Sequence, residues 1–137
     1  MKQVLVVDDD ENIRQLVTEG IKPCKVTVHG VSSAKEAIAY MGSHEVDLLI
    51  SDIMLPDLKG TELFAQLRKK RPILQCIIFT AHPTRENIES SLKLGISDFV
   101  KKPCDIPQLF RIVSETLSRI DRWKNLMGVL ESRTTMG

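Results

Sequence analysis

The chain has almost no net charge: 19 Lys and Arg residues against 18 Asp and Glu leave +1, with both signs spread along its length. Neither a basic face for nucleic acid nor an acidic tail follows from such a balance, so partners must be read from local patches. Cysteine is scarce as well. Cys24, Cys76 and Cys104 are odd in number, widely spaced and without a CxxC pair, which argues against a disulfide framework or a zinc site and fits a reducing cytoplasm. His29, His44 and His82 lie in separate segments with no ligand spacing, so a histidine metal centre is not expected. No apolar stretch approaches the roughly 20 residues that span a bilayer. The start, MKQVLVVDDD, carries one lysine and only a short apolar run before its acids, which is not the pattern of a signal peptide. Internal repeats and low-complexity segments are missing too. What is there is 137 residues, enough for one domain with a real core.

Short apolar runs alternate with helical patterns. The runs from Gln3 to Val7, Lys25 to His29, Asp47 to Ser51, Gln75 to Phe79 and Asp98 to Val100 are mostly continuous in Val, Ile and Leu, the signature of strands buried on both faces. Between them, Ile13, Leu16, Val17 and Ile21 mark one helix, Ser33 opens a second with Glu36 in capping-box register, and Leu63, Phe64 and Leu67 mark a third that Pro72 ends. A fourth begins near Thr84, carries Ile88 and Leu92 and stops at Gly95, and a fifth has Asp105 as cap and Pro107 in its first turn. Five β-α pairs joined by right-handed crossovers give an open, doubly wound parallel sheet with helices on both faces, and such sheets bind ligands at the carboxyl ends of their strands.

Those ends carry the chemistry. Asp8, Asp9 and Asp10 follow the first run, Asp52 ends the third in LLISDIMLPDLKG, Thr80 follows the fourth in CIIFTA, and Lys102 follows the fifth in SDFVKKP. Carboxylates meeting at one sheet edge repel each other unless a cation sits among them. Taken singly, each feature has a plainer explanation: an Asp-rich turn caps a helix, and a Thr or Lys after a strand is structural or solvated. Asp10 is read as only that cap. For the others, their joint order at successive strand ends outweighs the plainer explanations.

With this ordered set, together with Pro56 and Gly60 downstream of Asp52 and Pro103 after Lys102, the chain resembles a receiver domain of the two-component response regulators, the CheY-like superfamily, over residues 1 to 120. The resemblance implies a flavodoxin-like α/β fold: a doubly wound five-stranded parallel sheet in order 2-1-3-4-5 with five helices. It implies a phospho-accepting receiver of a phosphorelay: Asp52 takes a phosphoryl group from a sensor histidine kinase or phosphotransfer protein as a carboxylate nucleophile. Asp9, Asp52 and the backbone carbonyl of Met54 match the direct ligands of a Mg²⁺ cofactor, and Asp8 matches a ligand through water. Lys102, rather than Lys101, matches the site lysine because it directly precedes Pro103, across a bond typically cis in the family. Thr80 and Phe99 match the hydroxyl and the aromatic that switch the surface of helix four, strand five and helix five. Positions such as Met54 and His82 tune phosphoryl lifetime in the family. Cys104 after Lys-Pro is less usual. Such a domain catalyses only its own phosphoryl acceptance and autodephosphorylation and is not an enzyme for a separate metabolite. A Mg²⁺-dependent phosphatase of haloacid-dehalogenase type would need DxDxT after strand one, where this chain reads DDDEN; a non-phosphorylated pseudo-receiver binding module is the third class.

Residues 121 to 137 fall outside the resemblance and form a C-terminal helical extension or linker. Leu109, Val113, Thr116, Ile120, Trp123, Met127 and Leu130 recur at alternating four- and three-residue steps, a heptad stripe that extends helix five to about residue 131. Two readings stay open: a helix folded back on its own domain, or one that dimerises or transmits the signal. A homodimer would use that helix or the helix four, strand five, helix five face. The residues left hold no helix-turn-helix, so direct nucleic acid binding is not expected of this chain, and neither is a membrane partner. Either the chain stands alone, or it is the front module of a longer protein.

Overall fold

In the computed structural model, which describes residues 1–136 with side chains through Leu130, the apolar runs form a single parallel sheet. Its strands are β1 (Gln3–Val7), β2 (Thr27–Val31), β3 (Leu48–Ser51), β4 (Gln75–Thr80) and β5 (Asp98–Lys101), in the order β2-β1-β3-β4-β5. The connecting helices are α1 (Glu11–Ile21), α2 (Ala34–Met41), α3 (Gly60–Lys70) and α4 (Arg85–Lys93), and α5 (Ile106–Met136) follows β5. This is the doubly wound flavodoxin-like architecture expected from the sequence.

Two hydrophobic layers explain why the strands read as unbroken apolar runs. Leu5, Val7, Leu49 and Ile78 face Ala37, Met41, Leu63 and Phe64 of α2 and α3. The intervening Val4, Val6, Leu48, Ile50 and Ile77 face Val17 and Ile21 of α1 and Leu109, Val113 and Ile120 of α5. Strand alternation thus sends successive side chains into different cores.

Local signals placed the helices well. Asp10 caps α1 through a 2.9 Å bond from the Asn12 N–H, and Ser33, Thr84 and Asp105 accept in the same way at α2, α4 and α5. Gly95 ends α4 with φ at +77°, where a side chain would be strained. The capping box at α2 differs from expectation. Glu36 accepts from the N–H of Ser32 at 2.8 Å, one residue before the cap. β2 starts two positions later than its sequence pattern suggests, because Lys25 takes a left-handed turn (φ 57°) after a short 3-10 helix at Lys22–Cys24. Pairing with β1 then runs from Gln3↔Thr27 to Val7↔Val31.

α5 runs well past the expected end near residue 131. Through Ile120 its stripe is buried in the second core; from Asp121 to Leu130 every side chain is exposed. The fold-back arrangement is therefore not adopted by residues 121–130. Asp121 pairs with Lys2 at 2.6 Å and Lys124 pairs with Asp47, tying the departing helix to the amino end of the sheet. Gly137, the last residue of the expected extension, lies outside the described residues. Among the described residues, no helix is long and apolar enough to cross a membrane.

Candidate functional site

Parallel pairing brings the strand ends to one rim. Val7 is in register with Ser51, Ser51 with Ile78, and Thr80 with Lys101, so the residues that follow converge. Asp8, Asp9, Asp52, Met54, Thr80 and Lys102 all line one cleft of about 420 Å³, whose rim includes Ile13, Leu16, His82 and Pro103. Leu16, expected in the helical core stripe, is exposed there instead.

Each acid is held differently. Asp8 is buried and accepts from the N–H of Asp10 at 2.9 Å, while the Arg14 guanidinium donates to its carbonyl at 2.7 Å. Asp52 is half-buried; its N–H donates to the Val7 carbonyl at 3.1 Å, and one carboxylate oxygen accepts from the Met54 N–H at 3.3 Å. Asp9 is exposed and has no hydrogen-bond or ion-pair partner among the described residues. One ligand oxygen from each of the three lies within 4.8 Å of the others.

A single lysine serves this group. The Lys102 ammonium donates to Asp8 at 2.5 Å and to Asp52 at 3.0 Å, and it lies 5.4 Å from the centre of the Phe79 ring. The peptide bond from Lys102 to Pro103 is cis. Burial pulls the Lys102 pKa down, yet the hydrogen bonds and charges of Asp8 and Asp52 outweigh it and hold the ammonium above its ordinary value. At Asp8, by contrast, burial prevails and raises the carboxyl pKa against the opposing bonds from Lys102 and the Asp10 N–H. The two shifts have different causes: burial disfavours the charged form of Asp8, whereas two bonded carboxylates favour the charged form of Lys102. Three carboxylates and one ammonium carry about two units of excess negative charge, and a hard oxygen set of this kind fits a small divalent cation such as Mg²⁺.

The β3–α3 connection is tightly built behind Asp52. The Gly60 N–H donates to the Ile53 carbonyl at 2.8 Å, and a Cβ at Gly60 would lie 2.0 Å from the Asp52 carbonyl oxygen. Only glycine permits that approach. Thr80 is buried, and its hydroxyl oxygen accepts from the His82 N–H at 3.3 Å. Phe99 does not line the cleft: it is half-buried and packs on the core shared with α2 and α3.

Sequence reasoning missed three contributors. Lys102 bonds Asp8 as well as Asp52, and its bond to Asp8 is the shorter of the two. Arg14 holds the Asp8 carbonyl, six residues back, and Asp57 holds the N–H groups of Ala34 and Lys35, 23 and 22 residues back. The sole local hint was the position of Asp57 after Pro56, a common turn pairing.

Residues 4–114 match the response regulator receiver domain family. The chain is 32% identical over 115 residues to the DNA-binding transcriptional regulator NtrC of Salmonella typhimurium, a stretch covering 84% of this chain and 24% of that protein. It thus spans about a quarter of the length of this relative. A CheY-like response regulator receiver domain protein from Methanospirillum hungatei superposes with a TM-score of 0.84 at 30% identity, covering 89% of this chain and 98% of that one. The signal receiver domain of an HD domain-containing protein from Pseudomonas fluorescens gives 0.83 at 29% identity, covering 88% and 98%. Receiver domains are signalling modules rather than enzymes for a separate metabolite, so the dehalogenase-type alternative is left without support. The chain belongs to the response regulator receiver domain family of two-component signalling.

Proposed function

We propose that the chain is a phosphorylation-controlled switch in which Asp52 accepts a phosphoryl group from a sensor histidine kinase or phosphotransfer protein. The observation that carries this reading is the position of Asp52 at the end of β3, ion-paired to Lys102 and within 4.8 Å of two further carboxylates. A carboxylate oxygen of Asp52 forms a bond to phosphorus as the P–N bond of a phosphohistidine breaks, and the electron pair leaves with the imidazole nitrogen, which takes up a proton. Asp9, Asp52 and the Met54 carbonyl would hold Mg²⁺, with Asp8 acting through water. When bound, the ion neutralises charge on the phosphoryl oxygens and permits close approach of two anions.

The remaining residues divide the work by position. Lys102, bonded at rest to Asp8 and Asp52, transfers one of its bonds to a phosphoryl oxygen. The Thr80 hydroxyl donates to another, giving up its contact with the His82 N–H. Phe99, half-buried on β5, turns inward, and the α4–β5–α5 surface changes with it. Water attack at the same phosphorus resets the switch. Residues 1–120 form the switching unit, a division supported by the burial of Ile120 and the exposure that follows. The exposed continuation of α5, with Trp123 and Met127 on one stripe, pairs with a second copy of the chain. A cytoplasmic location accords with a histidine kinase donor and with three free thiols.

Incubation with Mg²⁺ and a small phosphodonor, followed by intact mass measurement, tests the reading. One added phosphoryl group is expected in the wild type and none in Asp52→Asn. Labelling that survives the substitution would refute the acceptor, and an unlabelled wild type would favour a pseudo-receiver.

A further inference from the structure

We propose that Asp57, which does not line the cleft, is a positioning residue for the cation site, acting through the Met54 backbone by stapling segment 53–59 to the start of α2. The inference rests on the receiver reading above. The Asp57 carboxylate accepts from the N–H of Ala34 at 3.0 Å and from that of Lys35 at 2.8 Å. These are first-turn donors that the helix itself leaves unpaired, and the positive end of the helix favours the anion. The two N–H groups hold the Asp57 carboxyl below the usual carboxylate range, so the ionised form is the one bound. Ser33, the residue before, already caps the same helix through Glu36 N–H. The Asp57 bonds are thus additional to an ordinary cap, and they come from a different part of the chain.

Apart from Asp57, the segment is fixed at its base, by the 3.3 Å bond from the Met54 N–H to the Asp52 carboxylate, and by Ile53, Leu55 and Leu58, which pack on the core shared with α2 and α3. Met54 pairs with Lys59 in an isolated antiparallel bridge, and the Gly60 N–H bonds to the Ile53 carbonyl. Ile53 and Leu55 are buried, whereas Met54 between them is exposed and lines the cleft. Among the described residues, the hydrogen bonds that tie this segment to α2 are the two that the Asp57 carboxylate accepts. The staple also reaches the other acidic loop. β2 leads directly into α2, and the Val31 carbonyl at the end of β2 accepts from the Asp8 N–H at 3.1 Å. Asp57 thereby joins the segment carrying Met54 to the strand that fixes Asp8.

Calorimetric titration of the full chain with MgCl₂, compared with urea unfolding, separates positioning from simple capping. Asp57→Ala is expected to weaken Mg²⁺ binding about tenfold, a usual effect of losing a group that orients a ligand. Asp57→Asn, which keeps one acceptor oxygen, falls between that variant and the wild type. Ser33→Ala removes a cap from the same helix without touching segment 53–59; it should lower the urea midpoint while leaving Mg²⁺ affinity unchanged. Wild-type affinity in Asp57→Ala, or an equal loss in Ser33→Ala, would overturn the inference alone. A wild type that takes up no Mg²⁺ would overturn the receiver reading and this inference with it.

Discussion

Replacing Asp9 by Asn should stabilise the metal-free protein and remove most of its stabilisation by Mg²⁺. The side chain is exposed and has no hydrogen-bond or ion-pair partner among the described residues, so its main interactions in the metal-free state are with neighbouring charges. Within 4.8 Å, each like-charge pair costs ~0.9 kcal/mol at the dielectric constant of water and ~3.5 kcal/mol at an effective value of ~20. Exposure places Asp9 toward the aqueous end of that range. Repulsion from Asp8 and Asp52 then totals about 2 kcal/mol, and attraction to Lys102 offsets about half of it, so the substitution should gain about 1 kcal/mol. Urea unfolding at neutral pH in a chelator measures this directly, and added salt should shrink the gain. With Mg²⁺ in excess, the wild type gains stability by mass action while the variant, lacking a ligand, gains little, so the order of the two reverses. A variant less stable than wild type in the chelator, or one that gains as much from Mg²⁺, would refute the reasoning.

Two further perturbations test the frame around the site. Gly60→Ala places a Cβ 2.0 Å from the Asp52 carbonyl oxygen and 2.7 Å from the Ser51 hydroxyl, so it should cost about 3 kcal/mol or more in urea unfolding, and a loss under about 1 kcal/mol would refute the close approach. Truncation after Ile120 removes the exposed part of α5 that carries Trp123 and Met127; it should lower self-association measured by light scattering, and an unchanged mass distribution would refute pairing through this helix.

How much of this was legible in the sequence depended on whether a residue's role was set locally. The central strands were found because burial on both faces writes a continuous apolar run, and β1 lies where its run lies, at Gln3–Val7. β2 is an edge strand with only Val31 buried, so its pattern was too weak to fix where it starts; a tertiary bond from the Thr27 N–H to the Lys2 carbonyl does that. Asp8, Asp9, Asp52, Thr80 and Lys102 were legible as a set because parallel strands deliver their ends to one rim. The sharing of Lys102 between Asp8 and Asp52 was not, since it joins residues 94 and 50 positions apart. Asp57 illustrates the same limit. Its sequence neighbours suggest a turn, and only the fold brings it to the first turn of a helix 22 positions earlier.

Helix α5 shows why hydrophobic periodicity identifies a face but not what covers it. The strands contain four to six residues, so at ~3.3 Å per residue the sheet is only about 13–20 Å deep along its strands. A helix rises ~1.5 Å per residue, so 31 residues extend over about 46 Å. The first half of the stripe, through Ile120, is therefore enough to cover the sheet, and it is buried there. The second half keeps the same spacing but has no sheet beneath it, and Trp123 and Met127 remain exposed. The ion pairs of Asp121 with Lys2 and of Lys124 with Asp47 sit where the helix leaves the sheet. One uninterrupted heptad pattern thus serves two different surfaces, and the length of the strands decides where the first ends and the second begins.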